Sequence, residues 1–211
     1  MPSTRTTGLR YRGLTARDLA LIAVFAAFIA VLSISGQIAV PLSPVPITLQ
    51  TLGVMLAPAL LGAKRGTLAV AVFLALGLAG LPLFAGGAGG LGVLAGPSAG
   101  FIVSWIPSAL AIGFLTDLMV RGVRYRFWAG LAVNILGGVL VVYAVGVPWM
   151  GAAMGNDHLA ALVAMTAYLP GDLAKAVIAA AIAAAVHRAY PVPPAGRPVP
   201  EGDGTAEGGN A

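Results

Sequence analysis

The chain has 211 residues, of which 59% are hydrophobic and only 9% charged, with a net charge of +5 and a mean hydropathy of +0.94. A soluble domain carries about 25% charged residues, so 12 Lys plus Arg and 7 Asp plus Glu cannot solvate a water-facing shell, which excludes a soluble enzyme and a disordered chain. Basic residues in short clusters between long apolar runs do not form a nucleic-acid face, and the absence of cysteine removes disulfides, thiolate nucleophiles and cysteine metal sites.

The remaining class is an integral membrane protein in a lipid bilayer. Residues 1–17 form a basic segment, and an apolar helix follows at about 18–35. Leu19 to Ala63 spans 45 residues without a charge, and Thr67 to Thr116 spans 50. A helix crosses ~30 Å of hydrocarbon with about 20 residues, so each run has room for two crossings. Gly36, Pro41, Pro44 and Pro46 break the first run. Pro82 and the Gly86–Gly100 stretch break the second. The expected helices are therefore 18–35, 47–62, 66–83, 98–119, 127–147 and 169–188, six in one bundle. Residues 157–167 are apolar but too short to cross, and they read as a short helix lying at one face. Residues 189–211, with five Pro and five Gly, read as a disordered tail. No internal repeat stands out, so residues 18–188 form one domain.

Orientation follows from the loops. Arg5, Arg10, Arg12, Arg17, Lys64, Arg65, Arg121, Arg124, Arg126, Arg188 and Arg197 all fall on one side, 11 of the 12 basic residues. The loops at 36–46, 84–97 and 148–168 contain none. Both termini are thus expected in the cytoplasm, with the plasma membrane as the location.

Several chemistries are absent. No G-x-x-x-x-G-K-[ST] occurs, because Lys64 precedes Arg65 and Lys175 precedes Ala176, so a Walker loop is excluded. His158 and His187 are far apart and outside the spans, which argues against a metal site or a His-based hydrolase. Gly87 to Gly92 fits G-x-G-x-x-G, but no acidic residue follows at the required distance. A glycine-rich outer loop at Gly86 and Gly87, whose backbone amides can approach a ligand, is the simpler reading.

The informative segment is Leu169-Pro170-Gly171-Asp172-Leu173-Ala174-Lys175. Pro170 suits a first helical turn, the helix dipole favours Asp172 there, and Lys175 shares its face three residues on. Lys175 then lies about 9 Å below the helix start, at 1.5 Å per residue. A charge at such depth costs roughly 2.5–3.5 kcal/mol on insertion scales and usually marks a substrate path. An ion pair that only fixes helix packing is the alternative. Ala23 with Ala27, and Ala26 with Ala30, are spaced i, i+4 on the first helix and permit close helix approach, either within the bundle or to a partner. Trp105, Trp128 and Trp149 read equally as interface or pocket aromatics.

Pro44-Val45-Pro46-Ile47-Thr48-Leu49-Gln50-Thr51-Leu52 resembles the P-V-P-x-T-x-Q-x-L segment of the BioY family, the biotin-binding S-components of energy-coupling factor transporters. Gly80 to Gly87, Leu94 to Gly100 and Leu169 to Asp172 with Lys175 are similar to that family in the same order, so the resemblance covers about 15–188. Positions 98 and 99 depart from it, with Ser and Ala where Thr and Gly are more usual. The resemblance implies a six-helix subunit, without enzymatic activity or cofactor, that captures biotin from outside. A separate transmembrane coupling protein and two ATPase subunits would energise it. Asp172, Lys175, Gln50, Gly86 and Gly87 become its ligand-site candidates, and Ala23, Ala27 and Ala30 its docking face. The family site also draws polar or basic contacts from the third and fourth helices, whereas residues 66–116 here contain no Arg, Lys or Asn. The competing readings are a self-sufficient secondary transporter, with Asp172 titrating, and an intramembrane enzyme, for which no nucleophile–base pair is found.

Overall fold

The computed structural model describes residues 14–39, 43–122 and 124–189. The sequence-based readings for most of 1–17 and for the tail from Tyr190 lie outside them. Helix α1 (Ala16–Ile34) starts at a capping box: Thr15 Oγ1 accepts from Asp18 N–H at 3.2 Å, and Thr15 N–H donates to Asp18 Oδ2 at 2.9 Å. Ile22, Ala26, Ile29 and Ser33 are buried at spacings of four, three and four, so only a narrow stripe faces the bundle. Residues 37–38 (β1) and 47–48 (β2) then pair antiparallel, Gln37 opposite Thr48, where a loop at 36–46 and a helix starting at 47 were expected.

Helix α2 (Gln50–Leu78) is continuous as a named element but not as a rod, because Gly62 is non-helical with φ 77°. A Cβ on Gly66 would lie 2.3 Å from Pro58 Cα. Eight residues of straight helix would separate these positions by about 12 Å, so the chain doubles back at Gly62 into two arms, 50–61 and 63–78. Such a turn orphans backbone groups inside the bundle. Ala63 N–H is satisfied by Asp117 Oδ2 at 3.1 Å, and the Ala59 carbonyl meets His187 Nε2 at 3.0 Å. The first arm is central: every residue from Gly53 to Gly62 is buried. The second arm ends at Leu78, short of the expected 83, since Gly80 takes φ 113°.

Two short 3-10 turns, Ala85–Gly87 and Leu91–Ala95, lead to α3 (Ala99–Gly122). One apolar stretch, Phe127–Ala153, follows. It comprises α4 (Phe127–Ile135), a π-helical turn at Leu136–Val141 and α5 (Val142–Ala153), six residues longer than anticipated. The short helix expected at 157–167 is α6 (His158–Met165), and α7 (Leu169–Ala189) is the last of the described helices. Among the described residues, five helices are long and apolar enough to cross a membrane. α7 buries Ala176, Ala179, Ala180 and Ala183, a small-residue stripe that lets the helix approach closely.

The bundle has two distinct poles. At one, Asp18 Oδ1 pairs with Arg65 Nε at 2.6 Å, and Tyr125 stacks on His187 with centroids 4.8 Å apart. The start of α1, the α2 turn and the ends of α3 and α7 therefore meet there. The opposite pole carries the β-hairpin, the 84–97 loop, α6 and a cavity.

Candidate ligand-binding cavity

The cavity encloses about 220 Å³ and is mainly apolar, with a few convergent polar groups. Five segments build it. Pro44 to Thr48, Gln50 and Thr51 come from the hairpin and the α2 start. Phe84, Ala85, Ala88 and Val93 come from the glycine-rich loop, and Ser98, Phe101, Ile102 and Trp105 from the α3 region. Gly138 comes from the π turn and Val142 and Tyr143 from the start of α5, while Met165, Tyr168, Asp172 and Lys175 come from α6, the turn after it and α7.

Asp172 and Lys175 are 8% and 6% exposed, so their charges must be met within the protein. Lys175 Nζ pairs with Asp172 Oδ1 at 2.9 Å and donates to Thr51 Oγ1 at 2.9 Å. Tyr143 O–H donates to Asp172 Oδ2 at 2.7 Å. Three segments distant in sequence thus converge on one neutral, polar cluster. Gln50, 2% exposed, lines the same space, and its Nε2 has no hydrogen-bond partner among the described residues. The indole N–H of Trp105 is likewise buried and unpartnered among them. An unsatisfied buried donor costs roughly 1–3 kcal/mol, so two among the lining residues point to an acceptor that arrives with a ligand.

The cavity cover is tied down by side chains. Tyr168 O–H contacts the Val45 carbonyl and lies 2.5 Å from Ser43 Oγ, pinning the hairpin to α7. Burial raises the Tyr168 hydroxyl above its ordinary pKa; the Ser43 hydrogen bond opposes that shift and the nearby Asp172 charge adds to it. Trp149 Nε1 donates to the Gly96 carbonyl at 3.2 Å, tying α5 to the glycine-rich loop.

Of the residues singled out in the sequence, Asp172, Lys175 and Gln50 come together at this cavity. Gly86 and Gly87 do not line it; their neighbours Ala85 and Ala88 do. Both glycines are exposed with φ 73°, and Gly87 N–H is already spent on the Phe84 carbonyl at 3.0 Å. Their role is to turn the loop. Ala23 and Ala27 are exposed and Ala30 is partly buried, so this face of α1 lies largely outside the bundle. Trp105 faces the cavity, whereas Trp128 is 75% exposed. Sequence reasoning missed Thr51 and Tyr143. Thr51 lay within the quoted segment beside Gln50, but Tyr143 gave no signal beyond being a lone hydroxyl in an apolar run.

A model of the BioY family matches residues 4–192. The chain belongs to the BioY family. It is 42% identical over 186 residues to the biotin transporter BioY of Rhizobium etli, covering 86% of this chain and 99% of that protein. To the biotin transporter BioY of Rhodobacter capsulatus it is 42% identical over 185 residues, covering 83% and 95%. Among solved structures it is similar to the S-component for biotin from an ECF-type ABC transporter. That match has a TM-score of 0.78 and 34% identity, and it covers 82% of this chain and 91% of the other. BioY members are transporters rather than enzymes, and this one is a multi-pass integral membrane protein.

Proposed function

We propose that this BioY-family chain is the biotin-capturing S-component of an uptake system, energised by a separate coupling protein and two ATPase subunits. The observation that carries the reading is the buried Asp172–Lys175 pair, met by Tyr143 and Thr51, at the wall of a partly open cavity. Such a pair is expensive inside a bilayer and repays its cost when a ligand uses it. Biotin carries ureido N–H donors that suit Asp172 and acceptors that suit Lys175. Gln50 and Trp105 supply further donors. Family membership and the transporters named above support the same substrate.

The chain crosses the plasma membrane six times in this proposal, with the two arms of α2 counted separately and residues 18–188 as the membrane domain. The fold-back at Gly62 supports that count. Both termini face the cytoplasm, because the described cations outside the cavity, Arg17, Lys64, Arg65, Arg121, Arg124, Arg126 and Arg188, gather toward the pole opposite it. The cavity then opens outward, and the exposed Ala23–Ala27 face, continued by Ala30, docks the coupling protein. Retention of labelled biotin by purified protein in detergent is the direct test, and its absence would remove the reading. Uptake that persists in a strain lacking every coupling ATPase would favour a self-sufficient transporter instead.

A further inference from the structure

Among the described residues, Asp172 and Lys175 are the only charged side chains lining the cavity, and they neutralise each other at 2.9 Å. Asp172 is engaged on both oxygens, by Lys175 and by Tyr143, and Lys175 is shared with Thr51. This cluster offers donors and acceptors together but no net charge. It matches a neutral group that gives N–H and accepts at C=O. An anion drawn to Lys175 would meet the carboxylate of Asp172 beside the same ammonium, and like charges disfavour that.

Among the described residues, no second cation lines the cavity either. The segments 36–46, 84–97 and 148–168 contain neither Lys nor Arg. The unpartnered donors of Gln50 and Trp105 are uncharged, and they can meet an amide carbonyl as well as a carboxylate oxygen. We propose that this site reads its ligand through the uncharged cyclic-urea end and is indifferent to charge at the far end, so that carboxyl-neutralised derivatives such as amides bind as the acid does.

This inference rests on the biotin reading above, and one experiment separates the two. Full-length protein in detergent is loaded with labelled biotin, which is then displaced by three competitors: biotin, its primary amide, and biotin methylated at a ureido nitrogen. The amide keeps the shape and loses the charge; the methylated compound keeps the charge and loses a donor. The amide is expected to compete within about tenfold of the acid, and the ring-methylated compound to be weaker by more than that. An amide weakened beyond about tenfold would place a charged carboxylate contact in the site and overturn the proposal. Equal competition by the ring-methylated compound would overturn it as well. Failure to retain labelled biotin at all is a different result, because it removes the functional reading itself and this inference with it.

Discussion

At the residue scale, the Asp172–Lys175 pair either binds ligand or only joins helices, and substitutions tell these apart. Asp172→Asn keeps the shape but removes the acceptor charge that Lys175 and Tyr143 share. A hydrogen bond to a charged group is worth roughly 1.5–3 kcal/mol, so biotin affinity should fall about 10- to 150-fold. Lys175→Met removes a buried cation and should weaken binding while the protein stays folded. If the pair were only structural, the double variant would regain both melting temperature and affinity. As a ligand site, it regains stability at most, because both contacts to biotin are gone. Gln50→Leu makes a second, independent prediction. It deletes a buried donor that has no partner among the described residues. The ligand-free variant should therefore melt no lower than the parent, yet gain less on added biotin, since ligand stabilisation scales with affinity. A Gln50→Leu protein that melts much lower without ligand would show that Gln50 holds the fold instead.

At the scale of elements, α2 and α3 depend on each other. Gly62 takes φ 77°, and a Cβ there would lie 2.2 Å from Asp117 Oδ1, so Gly62→Ala combines strain with a clash against the side chain that caps the second arm. Asp117→Ala removes only the cap, a loss of about 0.5–2 kcal/mol. Gly62→Ala should lower the melting temperature by more than Asp117→Ala, and the reverse order would mean that the turn tolerates a side chain. For α1, Ala27→Leu adds bulk to an exposed position. Biotin binding by the isolated protein should be unchanged, while uptake in cells that hold the coupling subunits should fall; equal loss of both would assign the stripe to the bundle core. Much of this was legible in the sequence because charges in an apolar chain are conspicuous. Lys64 and Arg65 marked the α2 turn, and Asp172 with Lys175 marked the site on α7. The π turn at Leu136–Val141 was not legible, since nothing in Leu-Gly-Gly-Val-Leu-Val distinguishes i→i+5 bonding from ordinary helix. Tyr143 escaped for the same reason: its partner on α7 lies 29 residues away, and only packing sets which face it turns to the cavity. Gly86 and Gly87 misled in the opposite direction, because glycine signals a permissive backbone without saying whether the cause is a ligand or a turn.

For the whole molecule, orientation can be read from two exposed positions. Lys64 lies at the basic pole, and Leu91, 71% exposed, lies in the loop at the cavity pole. Cysteines introduced at these sites, in a chain that otherwise has none, should behave oppositely toward an impermeant thiol reagent in intact cells. Leu91→Cys should react and Lys64→Cys should be protected, and the reverse pattern would invert the map. The doubling-back of α2 also bears on how the chain is assembled. Its first arm has 12 helical residues, about 18 Å at 1.5 Å per residue, so as one of the six proposed crossings it spans ~30 Å of hydrocarbon only together with residues 43–49 before it and inside the folded bundle. The backbone groups freed at its turn are satisfied by Asp117 and His187, which are 54 and 128 residues further along. A ribosome extends the chain by roughly 5–20 residues each second, so for several seconds this arm has been made but its partners have not. It cannot settle as an independent crossing during that interval. α7, made long after the central arm, therefore does two jobs at once: it brings Asp172 and Lys175 to the cavity and closes the seam on which that arm depends.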